Sequence, residues 1–501
     1  MQGLLVIAVL FVLSGCSGKE DNVSFSVRQM PYSDRVSLVM DFRTGLGHEA
    51  DSVAGRTAYV LSAALGSGSG KYSAEEMDRF FSEAGICYSI EADWENTRIR
   101  WSFPAMKQSE SWSLISRRLL YPNFASSVVD DVLLRDFQSE TVEELIPRDI
   151  ETLIRFRLYG LSAAGMDTGE AGYQHQPGTV AGSTGRRALT AAQMAEYYEQ
   201  RFSVHNMHIS AAGRISQELR ESILEDMTQF HSYSGRIELP PAPETLMEEA
   251  GMTLLLRESE DRDRNIAVLA LPLDIFPYTS AYFDMYLLSR YLGHSAATGG
   301  KLFREIVSRR GLAAKVSAAL NNRNIDRISG IQLGESIAKQ PVLFIVLEGF
   351  RSGDLHFIIK LLLGELGRLA EEGLAASELE ELLAAVKAEQ TLSEQYAEYI
   401  AGRRADSRYF ASEDLDSEFM DHCSRLKLMD INSTAMKFID TDRILLYFEG
   451  KALRDFLRKA LENSRQLPQI PGGMGSELRM ENRDISEKQL EIDRILVINQ
   501  E

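Results

Sequence analysis

Positive charge is scarce in this chain of 501 residues. Its 54 Lys and Arg face 73 Asp and Glu, for a formal net charge of −19. A surface of that sign repels phosphate backbones, so nucleic acid is excluded as an expected partner. Cysteine is nearly absent, and the three present (Cys16, Cys87, Cys423) form no C-x-x-C pair, so neither a zinc ribbon nor a dithiol redox motif is available. Cys87 and Cys423 are expected as buried thiols, with a disulfide between them as the alternative in an exported protein. The chain has no G-x-S-x-G and no P-loop. It has eight histidines, at 48, 175, 205, 208, 231, 294, 356 and 422, and no two are four residues apart, the spacing that sets two imidazoles on one helical face. His205 and His208, three apart at an expected strand entry, read as surface or hydrogen-bonded side chains. The apolar run at residues 4–13 is too short to span a bilayer.

What is present is ordinary for a globular protein, with 44% hydrophobic and 25% charged residues, on a chain long enough for two sizeable cores. The run at 4–13 leads into Leu13-Ser14-Gly15-Cys16. This tetrapeptide resembles the lipobox of bacterial lipoproteins, where cleavage leaves a lipid-modified cysteine, here Cys16, as the new N-terminus. Met1-Gln2-Gly3 departs from that pattern by lacking Lys and Arg. A plain secretory signal or a misplaced start is the alternative reading. The resemblance implies a bacterial cell-envelope protein, lipid-anchored to a membrane and facing the periplasm.

Patterning predicts strands at 23–30 and 35–43, a helix running into the glycine-rich stretch 66–70, and a Ser73-capped helix to 84. Strands at 86–92 and 97–103 follow, then helices at 109–120, 126–144 and 149–161. A Gly- and Ser-rich loop (165–187), a helix (190–202), a strand (207–213) and a helix (216–230) complete the first half. The proline cluster at 239–243 marks a linker. The second half repeats this outline: strands at 252–257 and 265–271, helices at 279–291 and 301–309, and strands at 313–320, 326–333 and 342–350. Helices at 355–372, 377–399, 412–429 and 431–438 come next, then a strand at 443–448 and a helix at 451–460. Residues 492–498 have strand character. The expected organisation is a signal peptide (1–15), a tether (16–22), domains at 23–235 and 251–464 joined by a linker at 236–250, and a polar tail (465–501).

Gly55–Gly70, GRTAYVLSAALGSGSG, with Tyr72-Ser73 and Glu76 beyond it, resembles the catalytic region of the insulinase/pitrilysin/processing-peptidase family. So do Lys301-Leu302-Phe303-Arg304-Glu305 and Arg310-Gly311-Leu312-Ala313 in the second half. The resemblance implies an α+β fold of two homologous α/β domains, the metallopeptidase half-unit, each a mostly antiparallel sheet with packed helices. It also implies a zinc motif, H-x-x-E-H, whose positions here hold Ala58, Leu61 and Ser62, with the later glutamate ligand falling at Asp136. Zinc needs about three protein ligands and a base for its water, and these residues supply neither. The substrate-gripping Arg and Tyr of active relatives fall at Val307 and Ala314. No catalytic residue, metal site or cofactor is therefore expected.

The chain reads as a non-catalytic homologue, a structural or substrate-holding subunit beside a zinc-bearing partner or in a homodimer. The alternative is a stand-alone envelope lipoprotein that binds a peptide or a protein. A zinc peptidase with relocated ligands ranks last.

Overall fold

A computed structural model of the chain describes residues 23–45, 56–92, 96–124, 190–230, 252–258, 265–275, 279–293, 300–320, 324–328, 331–335, 341–409, 414–450 and 494–498, together with Ile150, Ile154 and Leu158. Two sheets organise these residues. The first is built from β1 (Ser24–Gln29), β2 (Arg35–Phe42), β4 (Cys87–Ala92), β5 (Thr97–Pro104) and β7 (Met207–Gly213), in the spatial order β1-β7-β2-β5-β4. The second holds β8 (Thr253–Glu258), β9 (Ile266–Pro272), β10 (Lys315–Ala319), β13 (Val342–Glu348), β14 (Leu445–Gly450) and β15 (Arg494–Ile498), in the order β15-β8-β14-β9-β13-β10. With β15 set aside, the two orders are the same. In both sheets the late strand pairs parallel to the first strand of its half, β7 to β1 and β14 to β8, and the remaining pairs of that shared order are antiparallel. The chain thus contains one α/β plan twice, in the half-unit arrangement. Two short ribbons add to it, β3 (Gly68–Ser69) with β6 (Pro122–Asn123) and β11 (Asn324–Ile328) with β12 (Ile331–Glu335).

Alternation along β2 explains how the first sheet is seated. Val36, Leu38, Met40 and Phe42 enter the main core of the first half, while Val39 and Asp41 point to the other face. The core face is covered by α1 (Arg56–Gly66), α2 (Ala74–Ala84), α3 (Gln108–Leu120), α4 (Ala191–Arg201) and α5 (Gln217–Thr228). Two of these helices open with reciprocal capping boxes, Ser73/Glu76 on α2 and Thr190/Gln193 on α4, which satisfy otherwise open backbone donors. Gly85 ends α2 at φ 72°, where a side chain would be strained. The second core lies under α6 (Ser280–Gly293), α7 (Leu355–Glu371), α8 (Ala376–Ser393), α10 (Leu415–Arg425) and α11 (Leu428–Phe438).

The remaining helix, α9 (Ala397–Tyr409), leaves its own half. Ala397, Ala401 and Ala405, four residues apart, lie against Val39 and Ala212 on the outer face of the first sheet. The exchange is mutual. Ile150, Ile154 and Leu158, helical and also four apart, pack against Leu255, Val268, Ala270, Phe344 and Tyr447 on the outer face of the second sheet.

Several predicted elements differ in detail. The span that patterning reads as one helix, 377–399, is two, because the chain turns at 394–396 to carry α9 across. The break expected near 430 falls at Leu426 and Lys427, where backbone φ/ψ of −62°/130° and −107°/150° are extended. The strand at 326–333 is a hairpin whose two arms pair antiparallel. The helix at 301–309 contains a π-helical stretch, Phe303–Ser308. Within the expected tail, β15 pairs parallel with β8. Cys16, the tether, the helix at 126–144 with Asp136, the loop 165–187, the linker prolines and the helix at 451–460 lie outside the described residues.

Candidate functional site

The helix at the zinc-motif positions is apolar on all sides. Tyr59, Val60, Leu61, Ala63, Ala64 and Leu65 are all buried, as in a helix enclosed by its own domain. Leu61, at the base position, is 0% exposed inside the first core. Ser62 is half-buried. Thr57 Oγ1 lies 2.8 Å from Tyr197 Oη, tying the helix start to α4.

The glycine turn beyond α1 is built and braced. Ser67 Oγ donates to the carbonyls of Ala64 (2.8 Å) and Gly68 (3.0 Å) and accepts from the Asn123 amide (3.1 Å). Ser69 and Tyr72 exchange backbone bonds, each of 3.0 Å. A Cβ at Gly68 would overlap the Tyr72 carbonyl oxygen, so only glycine fits there. Beneath the turn lies Arg118, fully buried. Its Nη2 donates to Asp78 Oδ1 (2.8 Å) and to the Ser67 carbonyl (3.3 Å), and its guanidinium stands 4.7 Å from the Phe81 ring centre. Nothing in the sequence pattern singles out Arg118. Its role follows from the fold.

The donor set does not fit zinc. A zinc site takes about four N, S or O ligands. A buried Leu61, the methyl of alanine at 58 and one serine hydroxyl provide no such set, and Asp136 is outside the described residues. Among the described residues no three His, Cys, Asp or Glu side chains converge as a metal site. In the second half, Val307 sits in the π-helical stretch and packs on the apolar core. Ala314 is exposed where the chain enters β10, its amide bonded to the Glu348 carbonyl at 2.9 Å. A small cleft of about 70 Å³ between α6 and α8 carries charges that are already matched. Arg290 pairs with Glu389 there, and Lys301 and Arg368 both reach Glu378 (3.8 and 3.7 Å).

Charge is concentrated elsewhere, between the first sheet and α9. Arg98, 0% exposed, bridges Asp41 Oδ1 (2.9 Å) on β2 and Asp406 Oδ1 (2.7 Å) on α9. Beside it Arg100 holds Glu91 at 2.5 Å, and Ser102 donates to Glu398 on α9 at 2.9 Å. Burial pushes the Asp41 carboxyl above the usual carboxylate range, against the pull of Arg98. Along the same face His208 lies 2.8 Å from Ser24 Oγ and 3.1 Å from Ser26 Oγ, a hydrogen-bonded histidine rather than a ligand. This layer joins the two halves.

Residues 188–386 match the family model described as Peptidase M16 inactive domain. Over this segment the chain resembles the M16 peptidases. The M16 half-unit is also what solved structures show. A peptidase M16 inactive domain from Pseudomonas fluorescens superposes at a TM-score of 0.64 with 14% identity, over 86% of this chain and 96% of that one. A protease from Helicobacter pylori gives 0.61 with 15% identity, over 84% and 96%. The periplasmic protease PqqL from Escherichia coli gives 0.60 with 14% identity, over 93% of this chain but 50% of its own. At these identities the likeness carries the fold alone. No curated sequence matches the chain. The matched M16 model is that of the inactive domain, in keeping with a non-catalytic relative.

Proposed function

We propose that this chain is a non-catalytic M16 homologue, lipid-anchored through Cys16 in the bacterial cell envelope, that serves as a structural or substrate-holding subunit beside a zinc-bearing partner half-unit. One observation carries the reading. The half-unit fold and its braced glycine turn are retained, while the base position is a leucine sealed in the core. Function here would consist of shape and docking, with the hydrolytic chemistry supplied by the partner. PqqL, of which this chain covers half, supports pairing of two half-units as the working form. The test is purification from the native membrane in mild detergent, with proteolysis assays on the isolated chain. The reading expects a stoichiometric partner containing H-x-x-E-H and no chelator-sensitive cleavage by the chain alone. Metal-dependent proteolysis by the isolated chain would sink it.

A second reading, a stand-alone binding lipoprotein, is favoured by β4. Among the described residues this strand is paired on one side only, with β5. An open edge can take up an extended peptide as a further strand. Recovery of the chain without any M16 partner, with a peptide bound, would favour this alternative.

A further inference from the structure

The exposed large apolar side chains of the described residues are few: Tyr32, Met106, Tyr121, Met429 and Met436. Two of them stand at one end of the first sheet. Tyr32, 102% exposed, is the tip of the turn between β1 and β2, closed by the Ser33 amide on the Met30 carbonyl at 3.0 Å. Met106, 84% exposed, follows β5, and the Ala105 amide bonds the Asp34 carbonyl at 2.8 Å, so the two tips share one edge. Arg214, just beyond β7, reaches the Met106 sulfur at 3.2 Å. Arg28 and Lys107 are exposed beside them, Lys107 bonded to the Glu83 carbonyl. Arg28, Lys107 and Arg214 thus stand at this end with three exposed carboxylates, Asp34, Glu83 and Glu110, a local balance on a chain whose formal charge is −19.

We infer that this end of the first sheet docks on an anionic lipid surface. The inference rests on the membrane anchoring proposed above. A fully protruding tyrosine suits the headgroup layer, where its ring is buried and its hydroxyl stays wet. Arg28, Lys107 and Arg214 are attracted by anionic lipid and balance the carboxylates of this end, while the acidic molecule as a whole is repelled, so this end is the one presented. Chain length permits it. Residues 16–23 span about 27 Å when extended, whereas β1 (Ser24–Gln29) rises about 20 Å, so an anchor at Cys16 reaches the level of Tyr32. The exposed methionines of α11, Met429 and Met436, have no exposed aromatic ring beside them among the described residues to seat in the headgroup layer.

The experiment reconstitutes the full chain into phosphatidylglycerol/phosphatidylethanolamine vesicles containing brominated lipid. It compares the wild type with Tyr32→Trp and with Met436→Trp as a control, after melting curves have shown both variants folded. The added fluorescence of Tyr32→Trp is expected to be quenched at least twofold more than that of Met436→Trp. The excess is expected to vanish in phosphatidylcholine vesicles and in the Arg28→Glu/Lys107→Glu/Arg214→Glu background, with the chain still vesicle-bound. Equal quenching of the two variants on a vesicle-bound chain would overturn the docking inference and leave anchoring intact. Shielding of the Tyr32→Trp indole only when native membrane proteins are present would overturn it in favour of a protein partner. A chain that washes off the vesicles would sink both the docking and the anchoring.

Discussion

At the scale of single residues, the former base position is the most informative. Leu61 is 0% exposed among apolar neighbours, so Leu61→Glu buries a carboxylate without a partner. The expected result is a loss of about 3 kcal/mol or more of stability, read as a fall in melting temperature, with no gain of zinc in metal analysis of the variant. Cys423 gives a second residue-scale expectation. Burial pushes its thiol up to about 12. The thiolate reacts, so alkylation of Cys423 at pH 8 is expected to be about four orders of magnitude below the plateau and to rise tenfold per pH unit toward that value. Cys87, expected from the sequence as a buried thiol, is instead exposed and free, and is expected to label first. Mass mapping of the labelled thiols at pH 8 and pH 10 checks both statements. These residues differ in legibility. Leu61 is visible in the sequence as a motif position holding the wrong chemistry. Arg118 is not, because a lone arginine in a helix carries no pattern until Asp78, Ser67 and Phe81 are brought around it.

The element scale is where α9 matters. The strands of the first half are readable from alternation, and β9 and β13 of the second from short continuous apolar runs buried on both faces. The helices of the cores are readable from their apolar spacing. The sequence of α9, AEYIAGRRADSRY, has neither signal, since its buried face is made of alanines and its arginines read as solvent-facing. Nor does a glycine or proline in Glu394-Gln395-Tyr396 announce the turn before it, so by pattern it continues α8. Two substitutions test its seating. A side chain at Gly402 would meet the guanidinium of Arg100, so Gly402→Leu is expected to cost about 1–3 kcal/mol by overpacking. Arg98→Ala removes the cation between Asp41 and Asp406, leaving two buried carboxylates without it. A loss of about 3–5 kcal/mol is expected, measured by urea titration. If Arg98→Ala unfolded at the wild-type midpoint, the ion layer would not be what holds α9.

For the whole molecule, the exchange of helices turns two domain-sized repeats into one folding unit. A fragment ending in the linker would lack α9 and expose Val39, Ala212 and the charged outer face of its sheet. Residues 23–250 expressed alone are therefore expected to be insoluble or molten, and to be rescued when residues 251–501 are supplied in trans. The full chain is expected to melt in a single calorimetric transition. Two separated transitions would show that the halves are independent despite the exchange. Composition and patterning make the repeat legible. The exchange is not, because it depends on pairings between residues hundreds of positions apart, which no local window contains.

That separation also sets a clock. Asp406 meets Arg98 only after about three hundred further residues have left the ribosome, which at ~5–20 residues per second is on the order of 15–60 s. Once β7 has emerged, for roughly the last two-thirds of that interval, the first sheet is complete apart from its lid, with a buried-to-be arginine and aspartate facing water. Any holding factor that acts on the nascent chain has this open face as its target, and it must let go when α9 arrives.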